Sequence, residues 1–326
     1  MIMQVFGLLH LADDQKSAMN LSVTDFREQI LIYANNAKNM SKSLALNGIP
    51  YTVLTNDRSI IQDIASIDSN SSLELIEIPF STKVPSGTCF YSAHYKLDAF
   101  KYIASLASGY YALCDLDMIC INKPSSCLQN LIKAGIPMFY DISDQVIPAY
   151  GHEIIISDLS KIGKIDSEGR WSGGEFIAGP PEFFASLVKE IEDIYNNYIF
   201  SISSLHHVGD EAYTSAALEK LRRKGMYIAD AGTIGIVGRY WSIKVLHPQK
   251  PFDYFKNLFL LHLPADKKFL SELAEREIGS LSEFRAHYQK HQQRKRSRIV
   301  TKVKRAALFL RDYLRALLNK ALNRTG

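Results

Sequence analysis

Tyr110-Tyr111-Ala112-Leu113-Cys114-Asp115-Leu116-Asp117-Met118 joins an unbroken apolar and aromatic run to two carboxylates one residue apart. The run reads as a central strand. A strand sends alternate side chains to one side, so Asp115 and Asp117 can turn together toward one hard cation. Mg²⁺ or Mn²⁺ suits that spacing. Such an ion neutralises a diphosphate and stabilises the charge that builds on a departing nucleoside diphosphate. The same residues also read as a polar turn after a strand, because a bare Asp-x-Asp arises often by chance.

On the N-terminal side, Gln4 to Leu9 reads as a first strand. Phe26 to Asn47 reads as a helix, with Ile30, Ala34, Ala37 and Leu44 near helical spacing and Gly48 and Pro50 closing it. Tyr51 to Leu54 and Leu73 to Ile78 are short β-rich runs, the second stopped by Pro79. Leu97, Phe100, Ile103, Ala104 and Ala107 then mark a helix that Gly109 ends. This β-α-β-α-β rhythm predicts a mainly parallel sheet with helices against it, whose ligands gather at the carboxyl ends of the strands.

Downstream, Pro137 to Tyr140 reads as a strand and Gly151 to Gly169 as a turn-rich loop or short hairpin. Phe176 to Ala178 is a further strand, with helices expected over Glu182 to Tyr195 and Glu211 to Lys224. The order of elements, a Lys-bearing helix and then an apolar strand ending in Asp-x-Asp, resembles the GT-A glycosyltransferases over roughly residues 1 to 265. The resemblance implies an α/β fold, a GT-A Rossmann-like and mainly parallel sheet flanked by helices. It also implies that Asp115 and Asp117 hold the divalent ion and touch the ribose of a nucleoside diphosphate sugar, a UDP-sugar being favoured.

Other residues divide between that resemblance and simpler readings. Thr55-Asn56-Asp57 ends the second strand, where GT-A proteins often meet the base or ribose; Asp57 is equally an ordinary Asx turn. Lys96 could contact phosphate as a point charge, or lie on a solvated helix face. In Trp171-Ser172-Gly173-Gly174-Glu175-Phe176 the two glycines permit close approach of a ligand, Trp171 can stack on a sugar and Glu175 can accept hydroxyl protons. That stretch resembles the Gly-Gly segment of ABO-transferase-like enzymes, and its simpler reading is a Gly-Gly turn beside a core Trp.

Asp210 and Glu211 open a helix, and N-capping by Asp210 leaves Glu211 as the preferred catalytic carboxylate. Leu260-Leu261-His262-Leu263-Pro264-Ala265-Asp266-Lys267-Lys268 resembles the His-x-x-Gly-x-x-Lys element of glycogenin-like enzymes, with Ala265 where the Gly would stand. The resemblance implies that His262 is the third protein ligand of the metal and that Lys267 contacts the diphosphate. A lone His after an apolar run is otherwise a satisfied core residue.

Charge is unevenly distributed along the chain. From Arg285 to Gly326 there are 13 Lys plus Arg against one acidic residue, so this segment carries +12 and the rest of the chain −8. Confined positive charge suggests an attachment device more than a nucleic-acid surface. Val303, Ala307, Leu310, Leu314 and Leu317 share one stripe of a basic amphipathic helical tail (266–326), expected to lie on an anionic membrane surface. A helix packed on the body, a dimer helix or a nucleic-acid tail also fits. The four cysteines show no metal spacing and read as reduced thiols; the first ten residues read as a buried strand, not a signal peptide.

The expectation is therefore a cytoplasmic enzyme, peripheral at the inner face of the cytoplasmic membrane. It would move a hexose or N-acetylhexosamine to a saccharide acceptor, an undecaprenyl-linked intermediate of bacterial surface polysaccharide such as LPS, O-antigen or capsule. No nucleic-acid partner is expected. Two other classes remain open: a non-catalytic membrane scaffold with a GT-A-like domain, and a sugar nucleotidyltransferase, although the latter's Gly-rich phosphate loop is missing after the first strand.

Overall fold

The computed structural model describes residues 3–12, 23, 25–66, 73–278 and 282–295. The chain divides into two compact units, Met1–Gly279 and Ser280–Gly326.

The first half of the larger unit follows the expected rhythm: β1 (Met3–Leu9), α1 (Phe26–Ala45), β2 (Tyr51–Thr55), α2 (Arg58–Ala65), β3 (Glu74–Glu77), α3 (Lys96–Ala104) and β4 (Tyr110–Cys114). Helix α1 starts where Asp25 accepts a hydrogen bond from the Glu28 N–H at 2.7 Å. It ends before Gly48, whose φ of +66° only glycine adopts freely. Its apolar stripe, Ile30, Ala34, Ala37, Met40 and Leu44, is wholly buried. Strands β2 and β4 are buried at every residue, as central strands covered on both faces must be.

The second half contains β5 (Met118–Cys120), α4 (Ser126–Lys133), β6 (Met138–Asp141), α5 (Ser143–Tyr150), α6 (His152–Gly163), β7 (Ser172–Gly179), α7 (Pro181–Ser201), α8 (Asp210–Arg223), β8 (Ala229–Asp230), β9 (Val237–Arg239), β10 (Leu260–His262), α9 (Lys267–Ser271) and α10 (Glu275–Ile278). The main sheet runs β3-β2-β1-β4-β7-β6-β8, parallel except at β7. A three-stranded sheet, β5-β10-β9, stands apart from it. The α/β architecture is thus the expected one. Registers pair Gly7 with Cys114 and Leu9 with Thr55, which brings the carboxyl ends of β1, β2 and β4 together.

Three expectations fail. Gly151 to Gly169 is not a loop: Ile155, Leu159 and Ile162 form a buried helical stripe in α6, and the glycines, with φ of +95° and +76°, lie outside its ends. Gly173-Gly174 is not a turn but extended backbone inside β7. The domain boundary at residue 265 is also too early. Residues 266–278 belong with the larger unit, where Asn39 Nδ2 donates to the carbonyl of Leu270 at 2.7 Å.

In the smaller unit, residues 282–295 are helical, with Phe284 and Tyr288 buried and stacked at 5.9 Å. The amphipathic stripe expected from Val303 to Leu317 lies outside the described residues. No helix among the described residues is long and apolar enough to cross a membrane. All four cysteines are free thiols.

Gly7 is where β1 meets the turn that follows β4. A Cβ placed there would fall 2.2 Å from Tyr51 Oη and 2.6 Å from Leu116 Cδ2. Gly7→Ala is expected to lower the unfolding free energy by about 1–3 kcal/mol through overpacking, read as a lower urea midpoint at unchanged m-value. An unshifted midpoint would contradict this account of the contact.

Candidate active site

A cleft of about 400 Å³ opens at the carboxyl ends of β1 and β4. Asp115-Leu116-Asp117 is a tight turn carrying the chain from β4 into β5 rather than a continuing strand, so strand alternation is not what aligns its carboxylates. Leu116 is buried against Gly7, while both aspartates line the cleft. Backbone bonds fix the turn on either side: the Asp115 N–H donates to the Glu175 carbonyl at 3.1 Å, and the Leu263 N–H to the Asp117 carbonyl at 3.0 Å.

Register then delivers the third group. In the small sheet His262 of β10 pairs with Met118 on one side and Arg239 on the other, so its ring stands beside Asp117. Nδ1 donates to Glu175 Oε1 at 3.1 Å, since an ionised carboxylate can only accept. In the neutral imidazole this turns the Nε2 lone pair toward Asp115 and Asp117. Nε2 is buried without a hydrogen bond of its own among the described residues, 3.2 Å from Asp117 Oδ1 and 4.0 Å from Asp115 Oδ2.

Lysines hold the other carboxylate oxygens. Lys96 Nζ lies 2.7 Å from Asp115 Oδ1, and Lys267 Nζ 2.7 Å from Asp117 Oδ2. One ligand atom each from Asp115, Asp117 and His262 therefore converges, all within 4.8 Å of one another. Two oxygens and one imidazole nitrogen fit Mn²⁺ or Mg²⁺, and the Glu175–His262 bond is the kind of outer support that metal-ligating histidines use. Burial would push the His262 pKa down, but Asp117 and Glu175 outweigh it and hold it up at about 9. Burial likewise opposes ionisation of Asp117, and Lys267 and His262 keep it well below the usual carboxylate range.

Beneath the cleft lies a charge network. Arg239 donates through Nε to Glu175 Oε1 at 2.6 Å and through NH2 to both Glu175 Oε2 (2.5 Å) and Glu211 Oε1 (2.8 Å). Glu175 is fully buried and does not line the cleft, so it is not positioned to meet a substrate hydroxyl; it orients His262 and Arg239. Glu211 lines the cleft but is heavily engaged. It also accepts from Trp171 Nε1 at 2.9 Å and the Gly174 N–H at 3.2 Å. Despite burial, Arg239 and His207 hold its pKa down to about 2, a poor value for a general base near neutrality.

Asp210 departs from its expected role as well. Gly209, with φ of +144°, is the cap of α8, and Asp210 is the first helical residue, 2.8 Å from Lys96 Nζ. Burial raises its pKa against the pull of Lys96, helped by Asp115 and Glu211. Of the two acidic residues it is the more base-like, and its Oδ1 has no hydrogen bond among the described residues.

The remaining expected residues sort as follows. Asp57 is an N-cap, accepting from the Ile60 N–H at 3.0 Å, and it does not line the cleft. Gly173 is outside the cleft; an added Cβ there would strike Glu175 Oε2 at 2.2 Å. Gly174 does line it, where a Cβ would meet Asp210 Oδ2 at 2.3 Å and Lys96 Nζ at 3.0 Å. Trp171 lines the cleft but is only 1 % exposed, its ring held edge-on by His206 and its indole N–H by Glu211. Lys96 and Lys267 both line it, whereas Lys268, which the motif spacing would favour, reaches out to Glu28 at 3.4 Å. Arg239, His207 and Trp241 were missed. The lining near β1 also includes Phe90, held at a left-handed φ of +53°.

Three solved structures are similar to this chain over most of its length. A bifunctional glycosyltransferase, WbbM, matches at 9 % identity and TM-score 0.46, over 86 % of this chain and 52 % of its own, so the chain spans about half of that protein. The galactosyltransferase LgtC, in complex with donor and acceptor sugar analogues, matches at 10 % identity and TM-score 0.47, over 85 % of this chain and 99 % of its own. Mouse xyloside xylosyltransferase 1 matches at 8 % identity and TM-score 0.46, over 80 % and 97 %. No protein-family model and no curated protein matches the chain. The chemistry of the cleft stands on its own residues.

Glu175→Gln is expected to weaken Mn²⁺ binding by about 10–100-fold through loss of the support under His262. It should also cost about 3–5 kcal/mol of stability by leaving Arg239 under-paired. Calorimetric Mn²⁺ titration and urea unfolding read the two effects separately, and unchanged Mn²⁺ affinity in a folded variant would contradict the orienting role. A pH dependence follows from His262. Its folded pKa of about 9 exceeds the ordinary 6.5, so its ion pairs contribute stability that is complete below pH 6.5 and lost as pH rises through about 9. Cation binding needs Nε2 deprotonated, so Mn²⁺ affinity should increase over the same window in which the cation-free chain loses stability. His262→Ala should flatten both trends.

Proposed function

We propose that this chain is a metal-dependent glycosyltransferase that takes its sugar from a nucleoside diphosphate donor. The observation that carries the reading is the convergence of Asp115, Asp117 and His262 in a cleft at the carboxyl ends of parallel strands, with two lysine ammonium groups beside them. Open α/β sheets receive nucleotides at that edge.

Asp115 Oδ2, Asp117 Oδ1 and His262 Nε2 would hold the cation. When bound, it would neutralise the diphosphate and stabilise the leaving nucleoside diphosphate. Lys267 stands beside Asp117, where its ammonium can share the charge of a phosphate without leaving the cleft. Lys96 bridges Asp115 and Asp210 and so fixes the distance between the cation site and the helix α8 carboxylate. Asp210, with one oxygen tied to Lys96, has Oδ1 for the reacting sugar or the acceptor hydroxyl. Glu211 acts below it by holding Trp171, the Gly174 backbone and Arg239 in place. Transfer of a hexose or N-acetylhexosamine to a lipid-linked saccharide, at the inner face of a membrane held by the basic tail, remains the fuller form of this proposal.

Thermal-shift measurement with UDP-, GDP- and dTDP-sugars, with and without Mn²⁺, tests it. A ligand at a hundred times its Kd contributes about 2.7 kcal/mol to the folded state, or a rise of several degrees in Tm. The expected result is a Mn²⁺-dependent shift with one nucleotide in the wild type, lost in Asp117→Asn and reduced in Lys267→Ala. A shift with no nucleotide would favour the scaffold reading.

A further inference from the structure

A second cavity, of about 670 Å³, shares Arg239 and Trp241 with the cleft. Its other walls come from the β6–α5 junction, the turn between β8 and β9, and residues 248–258.

Two aromatic rings stand on these walls. Tyr254, 62 % exposed, is braced edge-on by Phe255 at 5.4 Å. Trp241 is fixed through its backbone: its N–H donates to Gln249 Oε1 at 2.6 Å and its carbonyl accepts from Gln249 Nε2 at 2.9 Å. The indole N–H itself is buried and has no hydrogen-bond partner among the described residues.

The carboxylates of the cavity divide by what they already hold. Asp141 is occupied by Ser143, and Asp230 by the N–H groups of Asp141, Gly232 and Thr233. Asp144 accepts no side-chain hydrogen bond among the described residues and is exposed at the rim. Partial burial, then Asp141 and Asp230, raise its pKa, with Lys250 pulling the other way. A carboxylate in that position gains from hydroxyl donors. Anions do not suit this cavity, because three carboxylates outnumber Lys250, and Arg239 is already neutralised by Glu175 and Glu211.

The exposed Tyr254 ring, with Lys250 Nζ 5.9 Å from its centroid, and the under-used Asp144 carboxylate suit a neutral polyol, whose C–H face covers an aromatic ring while its hydroxyls donate and accept. We propose that this second cavity binds the saccharide acceptor, with the acceptor's growing end at the Arg239–Trp241 wall shared with the cleft. The assignment rests on the glycosyltransferase reading for the word acceptor, and on the cavity alone for the word saccharide.

Saturation-transfer NMR of the full chain tests it, with D-glucose, D-galactose, N-acetyl-D-glucosamine and L-rhamnose each at tens of millimolar. At least one sugar should give a signal that falls tenfold or more in both Tyr254→Ala and Asp144→Asn and survives saturating UDP with Mn²⁺. Both substitutions are at exposed positions, where effects on folding are small, and an unchanged melting temperature checks this. No signal from any of the four overturns the proposal. So does a signal that both variants retain, or one that UDP and Mn²⁺ displace, which would place the sugar in the cleft. The nucleotide shift fails or succeeds separately: sugar binding in the cavity without it would leave a saccharide site and remove the transferase reading.

Discussion

A carboxylate with no exposed surface has to be paired, and Glu175 is such a group. It belongs to β7 of the main sheet, while its partners Arg239 and His262 belong to β9 and β10 of the small sheet. The two sheets are therefore joined beneath the cleft by charge as well as by the chain. Arg239 extends the link to Glu211 and α8, and His262 extends it to Asp117. Burial opposes the ionisation of Glu175, and Arg239 with His262 more than reverses it, holding its carboxyl far below the usual range. Such networks contribute less to net stability than their short contacts suggest, because each charge also loses its hydration. What this one supplies is position.

The cleft above it shows a consistent division of labour among oxygens. Each aspartate of the turn gives one oxygen to a lysine and turns the other toward His262. Lys96 and Lys267 thus restrain the rotation of both carboxylates. Free rotation would let each carboxylate offer either oxygen. The lysines leave one oxygen of each for the shared site, and Glu175 does the same for the imidazole by holding Nδ1.

Much of the fold was legible because hydrophobic periodicity carries it: β1, α1, β2 and β4 lie where their apolar patterns place them. Asp115, Asp117 and His262, whose ligand atoms the fold brings together, were singled out by the family resemblance and not by spacing alone. Residues whose roles depend on distant partners were harder to read. Arg239 sits in Gly238-Arg239-Tyr240, a sequence with no signature, and its importance arises only when β9 lies beside β10. Glu175 looked like a substrate contact because nothing local shows that it faces inward. The ranking of Asp210 and Glu211 reversed because a capping role was assigned to Asp210, whereas Gly209 occupies the cap. In α6 the flanking glycines outweighed a sound helical stripe, and at Asp57, where a ligand contact and an Asx turn were both open, the side chain caps a helix.

The row Arg239–His262–Met118 is set by strand register, and a slip of one residue in β10 would exchange His262 for a leucine on either side. In the segment between β9 and β10, residues 240–259, Tyr240, Phe255, Leu258 and Phe259 are buried, but the exposed stretch between its ends can change in length and composition while the row stays in place. Trp241, Lys250 and Tyr254 all lie in it. The architecture thus separates what inheritance must keep from what it can rewrite: descendants of this chain could diversify the rim of the second cavity by insertion or substitution without rebuilding the cation site.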